Sequence, residues 1–195
     1  VLPADHVIPD HADFERVIRT GVDHVRTQGG LVTVGLVPTY PETGYGYIEA
    51  DGNAVLRFVE KPSLEKAQVY LASGRYLWNS GMFCFSAGTM LREMQQHCSS
   101  ILSATRACLE QSRSAQSKSH TQTELDQTTF GLVPDDSIDY AVMEKSKNVA
   151  VVPCSIGWSD IGSWDALGDL TAPDAQGNRI EGEVILHDVN NCYIQ

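Results

Sequence analysis

The stretch Leu31-Val32-Thr33-Val34-Gly35-Leu36-Val37 decides the fold class of this chain. It is a nearly continuous apolar run, with Gly29-Gly30 before it and Pro38 after it, and that is the pattern of a strand covered on both faces. Upstream, between Asp10 and Thr27, apolar residues at Phe14, Val17, Ile18, Val22 and Val25 fall on one stripe of an amphipathic helix. Ahead of that helix, Val1-Leu2-Pro3-Ala4 reads as the end of another buried strand. Strand, helix, strand in that order predicts an α/β fold with a parallel sheet and a crossover helix.

Downstream, Tyr47–Ala50 and Ala54–Val59 flank Asp51-Gly52-Asn53 and predict a hairpin. Ser63 and Gly74 bracket a helix, with Glu65 favourably placed in its first turn. Met82–Phe85 reads as a strand, and helices are expected around Met90–His97 and Ile101–Gln111. The polar stretch from Ser112 to Thr123 reads as a solvated loop. A short helix at Ile138–Lys145, a strand at Val149–Pro153 and a helix from near Ser163 follow. From Gly182 on, the alternation of Val184, Leu186 and Val189 predicts strands of a new unit, so the domain expectation is 1–175 and 176–195.

The 195 residues carry 25 acidic and 14 basic side chains, a formal charge of −11. That balance opposes a nucleic-acid-binding role, whose footprint is basic. It leaves room for a phosphorylated small molecule, because a divalent cation inverts the local field. No apolar run reaches membrane-span length, and no signal peptide is legible. Five cysteines without paired spacing argue against a disulfide framework or zinc knuckle and point to a reducing, cytoplasmic setting.

Several residues are chemically suggestive. Asp5, after the expected strand, suits either a hard divalent metal or a turn, and His6 beside it reads as structural. Thr43-Gly44-Tyr45-Gly46 offers close backbone approach to a ligand. Glu60-Lys61 pairs an acceptor for hydroxyls with a cation for phosphate, or simply balances charge at a strand end. Asn79 and Ser80 are expected in a turn, where an amide suits sugar hydroxyls as well as turn geometry. Asp135, Asp136 and Asp139 suit the start of a helix. Asp160, in Gly157-Trp158-Ser159-Asp160-Ile161-Gly162, is a second candidate metal carboxylate. No Ser-His-Asp or Cys-His arrangement stands out in the sequence.

Taken together, six segments resemble the mannose-1-phosphate guanylyltransferases of the sugar nucleotidyltransferase superfamily, including the bifunctional phosphomannose isomerase type. They are VLPADHVI at 1–8, LVPTYPETGYGYI at 36–48, FVEKP at 58–62, YLWNSGMF at 76–83, SIDYAVMEKS at 137–146 and GWSDIGSW at 157–164. The resemblance implies a Rossmann-like α/β fold with a mixed, mostly parallel sheet, and synthesis of GDP-mannose and pyrophosphate from GTP and mannose 1-phosphate. It implies Mg2+ on Asp5 and Asp160, which with Lys61 would be catalytic. It further implies Tyr45, Gly46, Glu60, Lys61, Asn79, Ser80 and Asp139 around the sugar phosphate. Small-molecule substrates, no nucleic acid, no membrane and a homo-oligomer are the partner expectations. The family's opening strand and Gly-rich basic loop have no counterpart here. The expectation is therefore an internal fragment, inactive by itself. The alternatives are a non-catalytic nucleotide-sugar-binding module and a transferase for another sugar or base.

Overall fold

Every residue of β1 (Leu31–Leu36) is buried, as the apolar run requires. One edge of β1 pairs antiparallel with β4 (Tyr76–Phe85), and the other pairs parallel with β7 (Val149–Cys154). The hairpin forms as expected from β2 (Tyr47–Asp51) and β3 (Ala54–Val59), and β2 also pairs antiparallel with β4. A bridge between Ala54 and Ala150 closes the order β1-β4-β2-β3-β7 into a barrel. The computed structural model describes residues 1–117 and 119–195. Contacts divide them into two compact units, Val1–Leu2 with Glu15–Cys154, and Pro3–Phe14 with Ser155–Gln195.

The sheet is mixed, and within the barrel only β1 and β7 run parallel. The expectation of a mostly parallel sheet is thus corrected. Its premise was a first strand at residues 1–4, and no strand forms there: Val1 and Leu2 are exposed. Only Val1 makes strand-like contact, with its amino group donating to Phe83 O and its carbonyl accepting from Phe83 N. Pro3 has no N–H with which to extend the ladder.

Helix α1 (His11–Gln28) buries Val17 and Gly21, while Val22 is turned to solvent. Gly21 packs on β1, where an added Cβ would meet Val32 Cγ1 at 3.5 Å, an ordinary van der Waals contact. α2 (Leu64–Ser73) ends at Gly74 in the left-handed conformation. α3 (Ala87–His97) and α4 (Ser99–Gln111) follow β4. Met90 and Cys98 join Leu31, Phe83 and Met143 in one core cluster.

The polar stretch after α4 is a hairpin, β5 (Arg113–Gln116) with β6 (Thr121–Glu124), where a loop was expected; Lys118 lies outside the described residues. Its cross-strand pairs account for the order, with Arg113 opposite Glu124 and the Ser114 and Thr123 hydroxyls 2.9 Å apart. α5 (Gln127–Phe130) precedes a five-residue π-helix, Asp139–Met143, where a short helix at Ile138–Lys145 was expected.

In the second unit, α6 (Trp164–Gly168) starts with the Ser163 hydroxyl accepting from Ala166 N. β8 (Arg179–Ile180) and β9 (Tyr193–Ile194) pair parallel over two residues. The strands expected from Gly182 onward do not form between them, and Val184, Ile185 and Leu186 are exposed. Alternation alone makes no strand where no neighbouring strand, among the described residues, receives its backbone groups. Among the described residues no helix is long and apolar enough to cross a membrane.

Candidate functional site

The WNSG segment is part of β4, not the turn that was expected. Against β1, the register passes from Thr33–Phe83 to Gly35–Asn79, two steps on one strand and four on the other. β4 therefore bulges at Ser80–Gly81–Met82, with Gly81 at φ 68°, a conformation glycine adopts without steric cost. The turn-like composition is the chemistry of a bulge. Its consequence is that Asn79 and Ser80 serve different ends. Ser80 is 2 % exposed, donates to Val34 O at 2.7 Å and accepts from Met82 N at 3.2 Å. Its hydroxyl ties the bulge together, so the expected ligand contact is replaced by a structural one. Ser80→Ala is expected to cost about 1–3 kcal/mol in urea unfolding by orphaning those groups.

Asn79 instead gathers the expected site residues. Its backbone N–H donates to Gly46 O at 2.8 Å, and its Nδ2 donates to Asp139 Oδ1 at 2.8 Å. A Cβ on Gly46 would lie 2.8 Å from Glu60 Oε2 and 3.7 Å from Asn79 Cβ. Gly46, Glu60, Asn79 and Asp139 are thus neighbours, delivered by the loop before β2, the end of β3, the bulged strand β4 and the π-helix. A one-residue insertion in a helical turn re-aims its side chains, which suits the first residue, Asp139, to such a place. Lys61 adjoins, with its Nζ 3.6 Å from Glu60 Oε1, its side chain 64 % exposed and its backbone at φ 38°. Tyr45 packs edge-on against Trp78 at 5.3 Å between centroids, as Tyr40 does at 4.9 Å. The loop between these tyrosines is shaped by Glu42, whose Oε1 accepts from Thr43 N and Gly44 N at 2.8 and 2.7 Å.

Two residues of this group escaped the sequence reading. Thr33 is fully buried, and its Oγ1 donates to Asn79 Oδ1 at 3.2 Å. The available signal was that it is the one polar side chain in the run from Leu31 to Val37. Glu144 follows the π-helix, and its N–H donates to Asp139 O at 2.9 Å. Partial burial, then the charges of Glu60 and Asp139, push its carboxyl above the ordinary range. The group is acidic, with Lys61 as the cation ion-paired to Glu60 within it.

The second unit carries the other two expected residues. Val7 and Ser159 exchange both backbone hydrogen bonds, at 2.9 and 3.0 Å, as an isolated antiparallel bridge. That bridge sets the segment bearing Asp5 beside the segment bearing Asp160. His6 accepts at Nδ1 from Trp158 Nε1 at 2.9 Å, the structural role expected for it. Its Nε2 is 4.0 Å from Asp5 Oδ1, and the Asp5 side chain is 86 % exposed. Asp160 Oδ1 accepts from Gly162 N at 3.0 Å, and Ile161 between them sits at φ 49°, an outlier for a β-branched residue. Among the described residues no group of three or more His, Cys, Asp or Glu side chains is arranged to hold a metal. Asp5 and Asp160 are the carboxylates that could serve a hard divalent cation, which takes one or two carboxylates and completes its shell with water or phosphate oxygens.

A family model described as nucleotidyl transferase matches residues 1–177. The chain is 48% identical over 197 residues to the "Xanthan biosynthesis protein XanB" of Xanthomonas campestris pv. campestris (strain B100), covering 99% of this chain and 41% of that protein. It is 45% identical over 204 residues to a "Mannose-1-phosphate guanylyltransferase" of Escherichia coli (strain K12), covering 100% of this chain and 42% of that one. The chain thus spans about two-fifths of the length of these curated relatives. A solved structure described as mannose-1-phosphate geranyltransferase from Thermus thermophilus matches with TM-score 0.77 and 35% identity, over 94% of this chain and 52% of that chain. One described as mannose-6-phosphate isomerase from Helicobacter pylori matches with TM-score 0.77 and 37% identity, over 82% and 62%.

Proposed function

We propose that this chain, which belongs to the nucleotidyl transferase family, supplies sugar-phosphate-binding and metal-binding groups to a mannose-1-phosphate guanylyltransferase. The reaction joins GTP and mannose 1-phosphate into GDP-mannose and pyrophosphate. The observation that carries the reading is the convergence of Gly46, Glu60, Asn79 and Asp139 from four separate elements, with Lys61 beside them. The likeness to the Escherichia coli guanylyltransferase supports the choice of mannose and guanine.

In this reading Glu60 and Asp139 accept hydrogen bonds from sugar hydroxyls, while glycine at 46 and the Tyr45 ring border the sugar. Lys61 meets the sugar's phosphate and offsets charge as one of its oxygens attacks the α-phosphorus of the nucleotide. That bond forms as the bond to pyrophosphate breaks, so the nucleophile belongs to the substrate and no protein nucleophile is needed. Between two anions the barrier is dominated by position and electrostatics. A divalent cation, Mg2+ in our reading, would be held by Asp5 and Asp160 and would supply positive charge against the phosphates. Small soluble substrates and free cysteine thiols suit a cytoplasmic setting.

The test is the full-length protein with GTP, mannose 1-phosphate and Mg2+, with pyrophosphate and GDP-mannose both measured. Equal amounts of the two products are expected. Faster turnover with another nucleotide or sugar phosphate would overturn the assignment of substrates. Tight GDP-mannose binding without turnover of any pair would replace the enzyme by a nucleotide-sugar-binding module.

A further inference from the structure

Asn79 cannot give a sugar its full hydrogen-bonding capacity, because the fold already uses most of it. Its Oδ1 accepts from the buried Thr33 hydroxyl at 3.2 Å and from Gly81 N at 3.4 Å. Its Nδ2 donates to Asp139 Oδ1 at 2.8 Å. An amide can be turned over, exchanging its oxygen for its NH2 group. A flipped Asn79 would aim its oxygen at the Asp139 carboxylate and its N–H groups at the Gly81 N–H, two unfavourable contacts. Thr33 by itself tolerates either orientation, since a hydroxyl donates or accepts. In the observed orientation, however, the hydroxyl hydrogen supplies the shorter of the two donors to Oδ1.

From this chain of contacts we infer that Thr33 is a positioning residue for the sugar site. Asp139 and Gly81 set which way the Asn79 amide faces, and the Thr33 hydroxyl anchors the amide in place so that its Nδ2 stays on Asp139 and holds the carboxylate for the ligand. The inference rests on the proposed reading of the site. It adds a member from the interior of the barrel that touches no substrate. It also changes the part played by Asn79, whose amide gives one donor to the protein and has one left for a hydroxyl. Asp139 accepts from Asn79 through one of its oxygens, Oδ1.

Thr33→Val keeps the shape and removes the hydroxyl, whereas Thr33→Ser keeps the hydroxyl and removes a methyl group. In the full-length protein Thr33→Val should raise KM for mannose 1-phosphate about tenfold, the loss of a well-held charge-assisted contact. KM for GTP should stay within about twofold, and Thr33→Ser should restore the sugar-phosphate KM. A merely structural role would move both substrates together or follow the lost methyl group. The second readout does not depend on activity. In NMR spectra with labelled asparagine, assigned by the Asn79→Asp spectrum, one Asn79 Nδ2–H should exchange slowly with water in the parent and Thr33→Ser proteins. It should exchange fast in Thr33→Val. Slow exchange and parental KM in Thr33→Val would overturn the inference. Failure of the parent to bind mannose 1-phosphate would instead defeat the functional reading, and the exchange comparison would still decide whether Thr33 holds the amide.

Discussion

Asp160→Asn is expected to lower turnover of the full-length protein by about a hundredfold or more while shifting its thermal midpoint by no more than a few degrees. The two halves of this expectation have different causes. The loop holding Asp160 depends on an oxygen acceptor: Oδ1 receives Gly162 N–H at 3.0 Å, and the Ser159 hydroxyl receives Ile161 N–H at 3.2 Å. An asparagine side chain keeps an oxygen for Gly162, so this turn, strained as it is at Ile161, has what it needs to persist. What asparagine lacks is the negative charge, the property a Mg2+ ligand requires beside phosphates. Pyrophosphate release measured across Mg2+ concentrations checks the cause, since excess metal should recover part of the rate. Parental turnover in the variant would remove Asp160 from the reaction. A large loss of thermal stability would mean that its charge serves the fold.

How much of this was legible in the sequence differs by element, and the reason is the range of the forces involved. β1, the β2–β3 hairpin and α1 are encoded by periodicity and turn residues within a few positions of each other, and they form where expected. Pairing direction is a long-range property. Nothing local to Leu31–Leu36 says that its parallel neighbour is Val149–Cys154, over a hundred residues away. The segment from Trp78 to Gly81 fails for a subtler reason: turns and bulges draw on the same residues, because both need a left-handed position and a side chain that bonds nearby backbone. Only the partner strand decides between them, and here β1 does.

The candidate site shows the same division. Glu60, Asn79 and Asp139 were chosen by residue type and by the resemblance, and the fold makes them neighbours. Ser80 stood next to Asn79 in the same motif yet is buried, because the bulge turns its hydroxyl onto Val34 O and Met82 N. Thr33 and Glu144 were missed because their relevance arises only through contact. A buried threonine in a strand is ordinary until its hydroxyl is seen on Asn79. A glutamate near the end of a helix is ordinary until burial, and then Glu60 and Asp139, oppose its charge.

Lys61 carries the second large expectation: Lys61→Met should reduce kcat/KM for mannose 1-phosphate about a hundredfold, whereas Lys61→Gly should be equally impaired but more stable. The argument starts from the backbone. Lys61 has φ 38°, a left-handed value that costs a non-glycine residue about 1–3 kcal/mol, and a following proline restricts it further. Glycine would relieve that strain but brings about 0.5–1 kcal/mol of extra chain entropy to the unfolded state, leaving a net gain of about 1 kcal/mol. Local stability therefore favours glycine at this position. The ion pair with Glu60 cannot reverse that balance, because its 3.6 Å separation and a lysine side chain 64 % exposed place it among weak surface pairs. A strained cation beside a mostly acidic group is what remains when the requirement is a positive charge for a phosphate. Steady-state kinetics with urea unfolding of both variants separates the two roles. If Lys61→Met kept its parental kcat/KM, the lysine would only balance Glu60. If Lys61→Gly were less stable than the parent, the left-handed backbone would not be a strain borne for the ligand.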